Sequence, residues 1–175
     1  MDNTKISVLS FKGINPKIHT SVFLCDGVRI IGDVDIGEDS SVWFNSVIRG
    51  DVHYVKIGNC TNVQDMSMLH VTNDRFPLIV GSFVTVAHSV TLHGCTVEDN
   101  CIIGIGARVL DGAVVRSNSI VGAGSVVREG FVVPSGVLVA GVPAKIIREL
   151  KEEDYGKIKL FANNYLGYVK EYRNG

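Results

Sequence analysis

Branched apolar residues recur through this chain at a nearly fixed step of six. They are Ile36, Val42, Ile48, Ile57, Val63, Leu69, Val80, Val86, Leu92, Val97, Ile103, Val109, Val115, Val121, Val127, Val133 and Val139. That period fits neither a helix of 3.6 residues per turn nor an alternating strand. It predicts a parallel β-helix, in which three short flat sides make one triangular coil. Four residues after the anchors come small or β-branched residues: Ser40, Ser46, Thr61, Ser67, Val84, Val90, Thr96, Ala107, Ala113, Ser119, Ser125 and Val137. Both sets are expected to point into the narrow bore. From Ile103 to Val139 the step never varies, which a β-sandwich of many short strands would not produce.

The pattern also divides the chain. Residues 1–27 read as an N-terminal strand (Lys5 to Leu9) and an irregular opening coil around Ile18. Residues 28–144 read as the β-helix and 145–175 as a C-terminal helix, all within one domain. The step from Ile48 to Ile57 carries three extra residues, and that from Leu69 to Val80 carries five. The second insertion, around Thr72 to Pro77, is expected as a loop thrown off one corner. The step from Leu92 to Val97 is one residue short, so a side is pinched there. After Pro143 the period turns helical. Ile158, Phe161, Tyr165, Val169 and Tyr172 fall on one stripe, expected to pack along the outside of the prism.

Composition removes several function classes. The chain is 46% hydrophobic and 20% charged over 175 residues, which excludes disorder for most of it. A net charge of −1 without a basic run argues against a nucleic-acid partner. No apolar run approaches the roughly 18 residues of a membrane span, and no charged-then-apolar leader opens the chain. The cysteines Cys25, Cys60, Cys95 and Cys101 show no CxxC spacing, and Cys101 falls on an inward position. A reduced, cytoplasmic protein is the expectation.

The repeat is also a ruler. Three steps make one coil, so Ile48, Leu69 and Leu92 stack on one face, separated by the strand spacing of about 4.8 Å. Arg49, His70 and His93 each follow one of these anchors and should form an outward column. His88 lies two residues past Val86, on the preceding side and near a corner; Gln64 follows Val63 on that same side, one coil lower. Read singly, each histidine would be a surface or interface residue. Together, His70 and His93 can approach one metal ion, while His88 starts from another side. A closed trimer solves this: the His70/His93 face of one prism meets the His88 edge of the next, with a metal between subunits. Three histidines leave one position of a tetrahedron open for water, the arrangement of catalytic zinc. His19 and His53 lack aligned partners and read as surface residues.

At these residues the chain resembles a known family. Trp43-Phe44-Asn45-Ser46-Val47-Ile48-Arg49-Gly50-Asp51, Asn62-Val63-Gln64-Asp65, Leu69-His70, Ala87-His88-Ser89 and Leu92-His93-Gly94-Cys95 resemble, in order and spacing, the gamma-class carbonic anhydrase-like hexapeptide-repeat proteins. The C-terminal Ala162-Asn163-Asn164-Tyr165 extends the likeness over nearly the whole chain. The resemblance implies an all-β, left-handed parallel β-helix with a C-terminal helix, assembled as a homotrimer. It implies zinc, or another divalent metal such as iron or cobalt, on His70, His88 and His93 at the subunit interface. It further implies an Arg49/Asp51 salt bridge holding subunits in register, although Arg-Gly-Asp also suits a corner. Gln64 would hydrogen-bond the metal-bound water, and Tyr165 would lie near the site, with a packing role as the alternative. The implied reaction is reversible hydration of carbon dioxide to bicarbonate.

The chain departs from the family in its acids. Active members carry glutamates that move the proton. Here Val52 follows Asp51, and the loop Val71-Thr72-Asn73-Asp74-Arg75-Phe76-Pro77 holds a single acid, Asp74. Slow turnover is therefore expected. Two other readings stay open: an acyltransferase or thioesterase acting on acyl-coenzyme A, and a non-catalytic metal-binding trimeric scaffold.

Overall fold

In the computed structural model, which describes residues 6–174, the six-residue step becomes a stack of parallel coils. Ile103 is paired with Val86 on one side and Val121 on the other. Leu69 lies between Ile48 and Leu92, and Val97 between Val80 and Val115. The protein is a parallel β-solenoid of about seven turns with one C-terminal helix. Two of the three sides merge into a 12-stranded sheet, because the strands Arg29–Ile36 and Val47–Ile57 run through the corner between them. The third side is an eight-stranded sheet.

Every anchor is buried, and the residue two before each lies inside as well from Val34 to Ser125. In the coil that holds Cys101, Ile103, Ala107, Val109, Ala113 and Val115, small and branched residues alternate around the bore, all at 0% exposure. Some inward corner positions carry hydroxyls, and these are not orphaned. Ser46, Thr61, Ser67 and Ser119 donate to the carbonyls of Gln64, Gly81, Ala87 and Pro134 on the next coil, at 2.8, 2.7, 3.0 and 2.7 Å. A buried hydroxyl is tolerated on that condition. Thr96 departs from the sequence expectation. The short step removes a corner residue, so Cys95 turns inward and Thr96 is only half-buried.

Two further expectations change, at the opening coil and after Pro143. The opening coil is regular rather than irregular: Ile18 pairs with Ile36 and Leu24 with Val42, in the same register as the later coils. At the terminus Ile18 and Leu24 are half-exposed, having less structure beneath them than later coils. Of the N-terminal strand, Lys5 lies outside the described residues, and Ser7–Leu9 pairs with Arg29–Ile31. The chain does not turn helical at once after Pro143. Ala144–Glu149 forms a strand, antiparallel to Val137–Gly141, before the helix begins at Glu152.

The helix Glu152–Asn174 buries Ile158, Ala162 and Val169 against the eight-stranded sheet. Tyr165 is half-buried, whereas Phe161 and Tyr172 of the expected stripe remain exposed. The seat beneath it is aromatic: Trp43, Phe23 and Phe44 cluster with Cys25, Val169 and Tyr165. The helix start is fixed by Asp154, whose carboxylate accepts the Lys151 backbone N–H at 2.9 Å, the return arm of a capping box. Arg148 donates to both oxygens of the same carboxylate, at 2.6 and 3.1 Å, tying the last strand to the helix. Among the described residues no helix is long and apolar enough to cross a membrane.

The Arg148 and Lys151 hydrogen bonds hold the Asp154 carboxyl well below the usual range of carboxylates. A depressed folded pKa contributes stability that is present above the unfolded value of about 3.9 and lost as pH falls through the folded one. Asp154→Asn is therefore expected to melt at a lower temperature than the wild type at pH 7, with the gap closing below about pH 4. Thermal unfolding by circular dichroism across that range is the check; a gap independent of pH would assign the effect to something other than this carboxylate.

Candidate metal centre

The register that stacks Leu92 on Leu69 also places His93 on His70, both outward on one face. Their rings are tilted at 55° to each other, with His70 Nδ1 3.1 Å from His93 Nε2. The remaining nitrogen of each ring is held by a carboxylate. His70 Nε2 lies 3.1 Å from Asp51 Oδ1, and His93 Nδ1 lies 2.6 Å from Asp111 Oδ1. An ionised carboxylate only accepts, so each of those nitrogens carries its ring's proton. The two nitrogens that face each other are then both bare lone pairs. While both rings are neutral they cannot hydrogen-bond to one another; a metal ion between them, or a second proton on one ring, resolves the contact. Two nitrogens bound at about 2.0–2.1 Å to one tetrahedral ion stand about 3.3 Å apart, close to the separation seen. The donor set fits a divalent metal.

Each carboxylate is itself anchored. Asp51 is ion-paired with Arg49 within the chain and also orients His70. Burial pushes the Asp51 carboxyl up, but the Arg49 and His70 hydrogen bonds prevail and hold it below its ordinary value. Asp111 behaves alike: burial is outweighed by Thr72 and His93, and Thr72 donates to its second oxygen at 2.6 Å. His70 is pushed below the usual histidine range, by burial first, with Arg49 and His93 adding to the effect and Asp51 opposing it. Neutral imidazole is the form that ligates metal.

His88 stands apart. Its strand pairs through Thr85–Val86 with Asn62–Val63, so it belongs to the neighbouring side, and Ser89 after it turns the corner at φ 58. Its Nδ1 meets Asp65 Oδ2 at 2.7 Å, leaving Nε2 as the ring's lone pair. Among the described residues of one chain, no three metal-ligating side chains converge. The ruler found the histidines and stopped short of two of the aspartates. Asp65 follows Val63 by two, as His88 follows Val86, and could have been placed beneath it. Asp111 likewise follows Val109, stacked on Leu92.

Beside His88 opens a cavity of about 420 Å³, lined by Gln64, Tyr165, Ile102, Ile105, Phe161 and Tyr168 among others. Gln64 is buried, and its amide N–H donates to Asn62 Oδ1 at 3.0 Å, which leaves its carbonyl oxygen free to accept. Tyr165 packs edge-on against Trp43, ring centres 5.1 Å apart, so it both seats the helix and walls the cavity. Burial, with the Asp65 charge adding to it, pushes its phenol up to about 12, so it stays protonated. The thiols of Cys25, Cys95 and Cys101 are likewise pushed up to about 12 by burial, which keeps thiolate chemistry away from the site at neutral pH. His19, bonded to Ser21, and His53, edge-on to Tyr54, take no part in the cluster.

The bacterial transferase hexapeptide family (six repeats) matches residues 94–129. The chain is 48% identical over 166 residues to a carbonic anhydrase of Geobacillus kaustophilus, covering 95% of this chain and 91% of that one. It is 46% identical to protein YrdA of Escherichia coli, covering 93% and 91%. A solved Bacillus cereus structure described as a candidate acetyltransferase superposes with a TM-score of 0.95 at 42% identity, covering 97% and 98%.

Proposed function

The chain belongs to the gamma-class carbonic anhydrase-like family of hexapeptide-repeat proteins, and on that footing we propose that it is a metal-dependent hydratase interconverting carbon dioxide and bicarbonate. The observation that carries the reading is the pair of bare nitrogens of His70 and His93, 3.1 Å apart and braced by Asp51 and Asp111. The protein acts as a homotrimer, each centre made of His70 and His93 from one protomer and His88 of the partner subunit. Zinc is the first candidate, with iron or cobalt as alternatives. A divalent metal held there by the histidines would supply Lewis-acid activation of water at neutral pH.

The chain's own groups do the rest. Asp51, Asp65 and Asp111 fix the tautomers of the three histidines. Gln64, with its carbonyl oxygen unspent, accepts a hydrogen bond from water and aims it into the cavity. Tyr165 and the apolar wall of Ile102 and Ile105 keep the small substrate dry. The proton is harder to remove. Val52 stands where the family has a glutamate, and the three aspartates are committed to histidines. The proton therefore leaves to external buffer.

A second reading rests on the same cavity. Its volume greatly exceeds that of carbon dioxide, and its far wall of Ile102, Ile105, Ala123, Phe161 and Tyr168 would accept an acyl chain. Hydrolysis of an apolar acyl thioester suits that shape. It is separated from the first by offering acyl-coenzyme A to the same metal-loaded trimer.

Stopped-flow hydration by zinc- or cobalt-loaded trimer is expected to show activity that His88→Ala abolishes; a fully metallated trimer without activity would sink the proposal. Turnover should also rise with the concentration of an imidazole buffer and saturate late, since no internal acid competes with it; a rate indifferent to buffer would reveal a shuttle in the chain. Finally, His70→Ala and His88→Ala subunits, each inactive alone, should regain about a quarter of the wild-type sites when mixed equally and reassembled, as random pairing around a closed ring requires. No recovery on mixing would place all ligands within one subunit.

A further inference from the structure

The insertion after His70 does not simply bulge from its corner. Thr72 and Phe76 close it into a small loop, with Thr72 N–H donating to Phe76 O at 3.0 Å and Phe76 N–H to Thr72 O at 3.2 Å. A third backbone bond, Asp74 N–H to Val52 O at 3.2 Å, draws it back onto the strand Val47–Ile57. Phe76 packs closely against two glycines. A Cβ on Gly94 would stand 2.8 Å from Phe76 Cβ, and one on Gly112 would stand 3.1 Å from its Cε1. Those glycines directly follow His93 and Asp111, and both hold positive φ, 53° and 68°. Arg75 covers the outer side of the ring at 4.9 Å.

The loop thus clamps the corner just past His93, and it also reaches the site chemically. Thr72 Oγ1 donates to Asp111 Oδ2 at 2.6 Å, and Asp111 Oδ1 receives His93 Nδ1–H at 2.6 Å. We propose that residues 72–77 form a strap that sets the tautomer and aim of His93 through the Thr72–Asp111 bond, making Thr72, Asp111 and Phe76 positioning residues. The proposal rests on the metal-centre reading for its purpose and on hydrogen bonding alone for its geometry. Without the Thr72 donor, the Asp111 carboxylate is free to rotate. His93 then loses the acceptor that keeps its Nε2 bare. In this chain the loop that carries a single acid serves as scaffold for a ligand, a task distinct from moving protons.

Thr72→Val removes the donor at nearly constant volume, and Thr72→Ser restores it. Two readouts are taken on the trimer. In the metal-free protein, ¹⁵N-resolved imidazole spectra should show a slowly exchanging Nδ1–H on His93, lost in Thr72→Val and kept in Thr72→Ser. In chelator competition, zinc affinity should fall roughly tenfold in Thr72→Val and return to near wild type in Thr72→Ser, the low end of the range for groups that orient metal ligands. Thr72→Val matching wild type in both readouts would overturn the proposal, as would equal damage from Thr72→Ser. Wild type that binds no zinc, yet shows the strap-dependent Nδ1–H, would overturn the metal reading and leave the strap standing.

Discussion

Closure of the coil is the constraint from which the rest of this protein follows. Three flat sides must meet at corners tight enough to leave a bore only as wide as the inward side chains. Ile103, Val109 and Val115 fill it, with Cys101, Ala107 and Ala113 between them. A larger corner residue would force the sides apart, and a smaller anchor would leave a void, at a cost that grows with the empty volume. Once one coil closes, hydrogen bonds hold the next at a fixed spacing and register. Outward residues are then positioned by arithmetic: whatever follows Leu69 stands beside whatever follows Leu92.

The metal centre proposed above would use that rigidity. Bringing two imidazole lone pairs within 3.1 Å of each other is unfavourable without a cation, and flexible elements would relax the contact. Here neither ring can turn away easily, because Asp51 and Asp111 hold the far nitrogens and lie on the coils above and below. The same rigidity keeps His88 of the same chain away from that pair. His88 is fixed to another side of the prism by the pairing of its strand and by Asp65.

Legibility in the sequence followed the strength of the repeat. Where the period was unbroken, anchors and faces could be read directly, and counting steps rather than residues carried the His70/His93 stack across the insertion after Leu69. Where it changed, reading failed for physical reasons. A shortened step shifted the inward position from Thr96 to Cys95, since inward residues are set by distance back from the next anchor. The strand Ala144–Glu149 has too little periodicity to separate from the helix it precedes. Phe161 and Tyr172 matched a helical stripe but stand exposed, while the smaller Ala162 takes a buried place. Asp65 closes the Asn62-Val63-Gln64-Asp65 string with no role read for it, and Asp111 lies in no motif. Their importance comes from the coil on which they lie, and it emerges once the ruler is applied to every polar residue rather than to histidines.

That late strand bears on a hazard common to solenoids. A coil stack ends in open backbone edges, and the last coil of one molecule offers much the same hydrogen-bonding face as the coil before it, an invitation to end-on polymerisation. On one of the three sides, Ala144–Glu149 runs against Val137–Gly141 with reversed polarity and a register shift between Leu138 and Val139. Lys145, Arg148 and Glu149 put charge on that rim, and Arg148 is drawn aside to Asp154. A second molecule arriving in the direction of the repeat meets a strand that its own parallel coil does not match. The hairpin that finishes the fold thus acts as a chain terminator, letting a structure built to repeat stop at a defined length.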